Sequence, residues 1–317
     1  MLTFTAEYLK DCKAVIGYDV FNEPFPGSPG GKIFRTLVKS GAETLLFNKR
    51  VDRKRLIGDA LNKDVMAMLS VADDPKVYNR IIEDAKDMLF EFDTKRYYPF
   101  LVAAAEAIRK ADKTGIIISE NCYYSNLGIP CSVPRIVYKN GERENNHDFS
   151  PHGYDITVDS PLTNEASPHR VDFIFDEHKR TQSRLDVPVI VGEWGGMVPG
   201  SDSYPALEHL IEKFDSNKWS QTYWHYYNNF ENSRIMDVIC RPLPIAVAGE
   251  IKEYSYNRKN KLFTLAYKGS STIKAPTLIY LPSEPKKIYS TKNYIMKDNG
   301  ILQVYAGKGD CIVKVEL

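Results

Sequence analysis

Ala14-Val-Ile-Gly-Tyr-Asp-Val-Phe-Asn-Glu-Pro-Phe-Pro-Gly27 is the stretch on which the fold turns. Residues 14–21 are apolar and bounded by charge, the pattern of a strand buried on both faces. The polar break at Asn22-Glu23-Pro24 then leaves a carboxylate at the C-terminal end of that strand. The same arrangement returns at Pro188-Val-Ile-Val-Gly192, followed by Glu193-Trp194-Gly195-Gly196, where two glycines let the backbone turn tightly. Further strands are expected at 115–119, 149–155 and 221–225.

Helical patterns separate these strands. They run over 2–10, through a long charged stretch from about 35 to 111, and over 171–184 and 204–214. The long stretch holds Leu56-Ile57-x3-Leu61 and Val65-x2-Met68-Leu69 at helical spacing, and Ala103-Ala-Ala-Glu-Ala-Ile-Arg-Lys110 ends it with basic charge in the last turn. Continuous apolar strands alternating with helices mean parallel strands covered on both faces. A doubly wound sheet competes with a (β/α)8 barrel. Motifs placed just past several strand ends favour the barrel, which keeps its chemistry there. After Arg241-Pro-Leu-Pro244 the strands become short and rich in Tyr, Thr and Ile, at 261–267, 277–281, 287–290, 300–305 and 311–316. The reading is therefore a partial (β/α)8 barrel over 1–240 and a small β-sandwich over 241–317.

Composition narrows the function classes. Forty-two Lys and Arg against 41 Asp and Glu leave a net charge of +1 in 317 residues, so nothing points to nucleic acid as a partner. Six scattered His without HxxxH spacing, and five Cys without a CxxC pair, suggest no metal. No glycine-rich phosphate loop follows a strand, and no cofactor is expected. The cysteines read as mostly reduced and buried, with a bridge between Cys122 and Cys131 as the alternative in a secreted protein. No apolar run reaches the roughly 20 residues of a membrane helix.

The candidate site collects the strand-end residues. Retaining cleavage of a glycosidic bond needs one carboxylic acid for the leaving oxygen and one carboxylate for the anomeric carbon. Glu23 fits the first role and Glu193 the second. Asn22 can bond a sugar hydroxyl next to the reacting carbon. In Ser150-Pro-His152-Gly-Tyr154-Asp155, Tyr154 can donate to Glu193 while His152 contacts substrate or the acid. In Tyr223-Trp224-His225-Tyr226, Trp224 can floor the sugar subsite, since flat aromatic faces suit the C–H faces of sugars. Glu120, before Asn121 at the end of the 115–119 strand, either supports these groups from behind or touches substrate. Phe25, Ile33, Phe34 and Leu37 form either a lipid groove or a core face.

Asn22-Glu23-Pro24 and Glu193-Trp194-Gly195, with His152-x-Tyr154 and Trp224, resemble glycoside hydrolase family 5. The segments Asn22-Glu-Pro-Phe-Pro-Gly27 and Arg241-Pro-Leu-Pro-Ile-Ala-Val-Ala-Gly249 are similar to its endoglycoceramidase-like branch. The resemblance implies Glu23 as acid/base and Glu193 as nucleophile, with Asn22, His152, Tyr154 and Trp224 lining the sugar subsite. It also implies a β-glucosyl–lipid substrate, and through it contact with a membrane surface. The alternatives are a family 5 glycanase or β-glucosidase acting on soluble β-glucan, and a non-catalytic carbohydrate- or lipid-binding remnant.

The resemblance places three βα units before the Asn-Glu-Pro strand, yet only 21 residues precede Asn22. A βα unit takes about 30. The expectation is thus a barrel lacking its first strands, either because the sequence is a fragment or because another chain supplies them, with sheet edges at 14–21 and 221–225. The motifs define an O-glycosyl hydrolase, and they do not fix what this stretch does alone. Secretion or a lysosome-like compartment goes with a signal preceding Met1, and the cytoplasm otherwise. Oligomeric state is not legible.

Overall fold

The computed structural model describes residues 1–64, 69–158, 166–196 and 204–317. Val65 and Met68 of the expected helical spacing lie outside the described residues. The chain divides into two compact units, Met1–Val198 with Ser220–His225, and Pro199–Trp219 with Tyr226–Leu317.

The first unit carries the parallel strands β1 (Gly17–Asp19), β2 (Ile116–Glu120), β3 (His147–Ser150), β4 (His152–Gly153), β5 (Ile190–Gly195) and β6 (Ser220–Trp224). They pair in chain order, β1-β2-β3 and β4-β5-β6. Pro151 separates β3 from β4, but the ladder continues across it. Phe149 bridges Val189, and Gly192 N–H donates to the Pro151 carbonyl at 3.2 Å. The result is five consecutive barrel-type positions in sequence order, with their C-terminal ends on one side.

β1 is shorter than the apolar pattern 14–21 suggests. It pairs with β2 alone among the described strands, so ladder bonds form along one side only. Its first residue must be glycine: a Cβ on Gly17 would stand 2.5 Å from the Ile116 carbonyl oxygen. Phe21 remains 49% exposed, so the strand is not covered on both faces as its sequence predicts.

The long helical stretch is several helices: α2 (Gly30–Phe47), α3 (Arg53–Leu61), α4 (Pro75–Glu83), α5 (Lys86–Phe92) and α6 (Tyr98–Arg109), after an N-terminal α1 (Leu2–Leu9). The breaks follow capping chemistry. Asp52 accepts from the N–H groups of Lys54 and Arg55 to start α3, and Asp74 accepts from Lys76 with Pro75 at the first position of α4. α1 and α6 pack Ala6, Leu101, Ala105 and Ile108 with Tyr18 and Ile117 of the strands. Ile33 of α2 joins Tyr78, Ile82 and Leu89 in a second core, against which Leu37 also packs. Helix α7 (Pro168–Leu185) precedes β5. All five cysteines are free. Cys122, Cys131 and Cys311 are buried, whereas Cys12 and Cys240 are exposed, so the Cys122–Cys131 bridge does not form.

The second unit begins with α8 (Tyr204–Asn217) and α9 (Ile235–Ile239) and ends in a sandwich of two antiparallel four-stranded sheets. These are β12-β13-β10-β7 and β11-β14-β9-β8. Their strands are β7 (Leu243–Ala246), β8 (Gly249–Asn257), β9 (Leu262–Gly269), β10 (Thr277–Tyr280), β11 (Lys287–Ser290), β12 (Tyr294–Lys297), β13 (Ile301–Val304) and β14 (Gly309–Glu316). Alternate residues Phe263, Leu265, Val313 and Val315 meet Ile279, Leu302 and Val304 in one core. The expected strands include neither β7, β8 nor β12, and all three are sheet edges. Pro244, and the charges Glu250, Lys252 and Glu253, suit an edge and hide the alternation.

Candidate active site

Each strand end delivers one part of the site. Past β1 the chain turns at Glu23 with φ 43°, a left-handed conformation uncommon outside glycine and found at functional sites. The turn is held from behind, where the Glu23 N–H donates to Glu120 Oε2 at 2.5 Å. β4 and β5 are in register with His152 opposite Glu193, which places the ring beside the second carboxylate. Gly195 of β5 pairs with Trp224 of β6.

Glu23 and Glu193 face one another. Each offers an oxygen, and His152 a ring nitrogen, all within 4.8 Å of one another. Asn22, Glu23, Tyr154, Glu193 and Trp224 line a single cleft of about 410 Å³, together with Tyr123, Asn126, Leu127, Asp155, Ile156 and Val158. His152 lies beneath it, 1% exposed. Its Nδ1 is 3.1 Å from Glu23 Oε1 and 3.5 Å from Glu193 Oε2, and its Nε2 is 3.2 Å from Glu120 Oε1. The Tyr154 hydroxyl donates to Glu193 Oε2 at 2.7 Å.

Asn126 was not singled out in the sequence, yet its amide donates to Glu23 Oε1 at 2.7 Å. Asn121 in turn donates to Asn126 Oδ1 at 2.7 Å and accepts the His152 N–H at 3.2 Å. The signal was a polar run past a strand end, Asn121-Cys-Tyr-Tyr-Ser-Asn126, which turns back as a 3-10 segment at Tyr123–Leu127. Asn126 and His152 both bond Oε1 of Glu23, so a proton on this carboxyl belongs on Oε2. Glu120 is 3% exposed and is not among the residues lining the cleft, standing behind Glu23 and His152. Asp155, just after β4, is locked by Arg170 Nε at 2.8 Å and Nη2 at 3.1 Å.

The electrostatics follow from this packing. Burial acts to lower the His152 pKa, but hydrogen bonds to Glu120 and Glu23 and the charges of Glu120 and Glu193 outweigh it and raise it to about 9. His178, on α7, is pushed down to about 3 by burial, stays neutral, and donates Nε2–H to the His152 carbonyl at 2.9 Å. Asp19 is exposed as a residue, yet its carboxyl end packs against Glu120. Desolvation there and the Glu120 charge raise it to about 7.

The apolar set splits in two. Ile33 is fully buried and Leu37 packs on the helical core, whereas Phe25 and Phe34 are 50% and 59% exposed. The Phe25 ring meets Tyr123, which lines the cleft, at 5.8 Å between centroids.

Two carboxylates opposed across a cleft at the C-terminal ends of parallel strands make up a site of the glycoside-hydrolase kind. Residues 93–230 match the cellulase (glycosyl hydrolase family 5) model, and residues 241–298 match the glycoside hydrolase family 5 C-terminal domain, together more than half of the chain. The chain belongs to glycoside hydrolase family 5. A search of curated protein sequences finds no match. Among solved structures the chain is similar to endo-glycoceramidase II from Rhodococcus sp. in an iminocyclitol complex, with a TM-score of 0.65 and 20% identity, covering 99% of this chain and 63% of that one. The same enzyme in its ganglioside GM3 complex gives a TM-score of 0.64 at 20% identity, with 99% and 62% covered. Cryptococcus neoformans sterylglucosidase 1 gives 0.54 at 14% identity, with 71% and 45% covered. The chain thus spans less than two thirds of the length of these two endo-glycoceramidase structures.

Proposed function

We propose that this site hydrolyses a β-glucosyl bond with retention of configuration. One observation carries the reading: Glu23 and Glu193 present oxygens within 4.8 Å of each other across the cleft. Retaining pairs stand about 5–5.5 Å apart, whereas inverting pairs need about 6.5–9.5 Å to admit a water. Glu23 gives its Oε2 proton to the leaving oxygen as Glu193 attacks the anomeric carbon, and a glycosyl ester forms on Glu193. Water then gives a proton to Glu23 and its oxygen to the anomeric carbon, which frees Glu193. Asn22 serves the sugar hydroxyl next to the reacting carbon, and Trp224, half exposed in the cleft, serves the ring face. Tyr154 and His152 orient Glu193.

The aglycone in this reading is a lipid: the ceramide of a glycosphingolipid or glucosylceramide, or a sterol. Exposed Phe25, its ring against Tyr123 of the cleft and on the acid side, supports it, as does the likeness to endo-glycoceramidase II and sterylglucosidase 1. The cellulase model match favours a second reading, a soluble β-glucan. Hydrolysis by the full-length protein of fluorescent glucosylceramide, steryl glucoside and soluble β-glucan separates the two. Values of kcat/KM at least tenfold higher on a lipid glucoside are expected. Preference for the glucan overturns the lipid assignment.

A further inference from the structure

Behind the cleft sits a carboxyl pair that the catalytic motifs leave unused. Glu120 closes β2 with both oxygens engaged. Oε2 takes the Glu23 N–H at 2.5 Å, and Oε1 lies 3.2 Å from His152 Nε2. Asp19 of β1 stands near enough to Glu120 for desolvation, together with that charge, to push its carboxyl up to about 7. On its other side His152 turns Nδ1 to Glu23 and Glu193. Both ring nitrogens therefore face carboxyl oxygens. A neutral imidazole has one N–H and one lone pair, so it would set a lone pair against one of those oxygens unless that oxygen brought the proton.

We propose that Glu120, backed by Asp19, is a positioning residue for the acid/base glutamate: one oxygen holds the Glu23 backbone in its left-handed turn, and the other holds His152 as an imidazolium whose Nδ1–H spans Glu23 and Glu193. Its catalytic meaning rests on the retaining reading above, but the arrangement stands without it. A left-handed non-glycine residue is strained, and a backbone N–H bonded to a carboxylate is a charge-assisted bond stronger than a neutral one, so the Glu120 bond offsets the strain of the turn. The groups around the ring are Asp19 from β1, Glu23 beyond it, Glu120 from β2, Glu193 from β5 with Tyr154 on its oxygen, and neutral His178 from α7. That set is acidic apart from the two imidazoles, and His178 stays uncharged. A cation at His152 is what lets three glutamates approach one another.

The test is nitrogen NMR of the full-length protein labelled with 15N-histidine, with the His152 signals assigned by their loss in His152→Gln. At pH 7 both His152 nitrogens should be protonated, with a midpoint near 9. In Glu120→Gln the midpoint should fall by about two units or more, the alkaline limb of kcat/KM should follow it, and KM should change less than about threefold. Glu120→Asp, which restores the charge, should recover part of the shift. A neutral His152 at pH 7 in the parent protein overturns the proposal, and so does an unmoved midpoint in Glu120→Gln. The parent titration decides the charge state even where Glu120→Gln fails to fold. An imidazolium in a protein that hydrolyses no glucoside sinks the retaining reading alone, and hydrolysis with a neutral ring sinks this one alone.

Discussion

Gly192→Ala adds one methyl to β5 at the residue before the proposed nucleophile. Its Cβ would stand 2.8 Å from His152 Nε2 and 3.1 Å from His152 Cδ2, and against Ser150 Oγ. The backbone there is not left-handed, so crowding is the whole effect. Ser150 can rotate its hydroxyl away. The imidazole cannot move freely, because it is 1% exposed and its nitrogens are held by Glu120 and Glu23. Ordinary contact begins near 3.5 Å, so ring or strand must give by about 0.7 Å. Overpacking of this kind costs about 1–3 kcal/mol of folding stability. A misplacement approaching 1 Å costs on the order of 100-fold in rate, and here it falls between His152 and Glu193, which are direct partners across β4 and β5. The assay is kcat and KM on an aryl β-glucoside, beside urea unfolding followed by tryptophan fluorescence. A fall in kcat of about 30–300-fold with a lower unfolding midpoint is expected. A kcat within threefold of the parent, with the midpoint unmoved, would refute the claim that β4 and β5 are packed tightly enough to set catalytic geometry.

Three further outcomes follow from the same contacts. Asp93 is fully buried, and burial raises its pKa from 3.8 to about 6 despite the Ser132 N–H bond, so its ionisation opposes folding above pH 6 and costs nothing below the unfolded value; Asp93→Asn should be about 2–3 kcal/mol more stable than the parent at pH 8 and equal to it near pH 3.5 by urea unfolding. Arg170→Met leaves Asp155 buried without its cation and should lose about 3–5 kcal/mol, where a loss under 1 kcal/mol in the same assay would show the pair to be dispensable. Glu23→Ala should keep slow turnover on glucosides with activated leaving groups and be accelerated by azide to give a β-glucosyl azide; an azide-insensitive variant would remove Glu23 from the acid/base role.

The strand-end glutamates were legible because a run such as Pro188-Val-Ile-Val-Gly192 has one plausible structure and its next residue one plausible place. The interior of the second unit was legible for a related reason, since β9 and β14 alternate apolar and polar residues over their length. What stayed hidden lacked a periodic signature. β7, β8 and β12 are edge strands that carry Pro or charge, and β1 stops short because it is paired along one side only. Asn126 reaches Glu23 through the fold of a turn, and no spacing in the chain foretells that. Glu120 was placed at a strand end from its sequence. Whether a strand-end carboxylate faces the cleft or the protein interior depends on the neighbouring strands, here on Glu23 and His152 arriving at its two oxygens. The apolar residues near Glu23 divided for the same reason: helical phase turns Ile33 inward and Phe34, one residue on, outward.

Covalent trapping tests the central claim most directly. The full-length protein is incubated with an activated 2-deoxy-2-fluoro-β-glucoside, which slows release of the glycosyl-enzyme, and the labelled peptide is sequenced by mass spectrometry. The account predicts time-dependent inactivation with one sugar per chain, carried on Glu193 within Val189-Ile-Val-Gly-Glu-Trp194, and no label in Glu193→Gln. A label on Glu23 or elsewhere, or steady turnover of the parent substrate without any label, would contradict it.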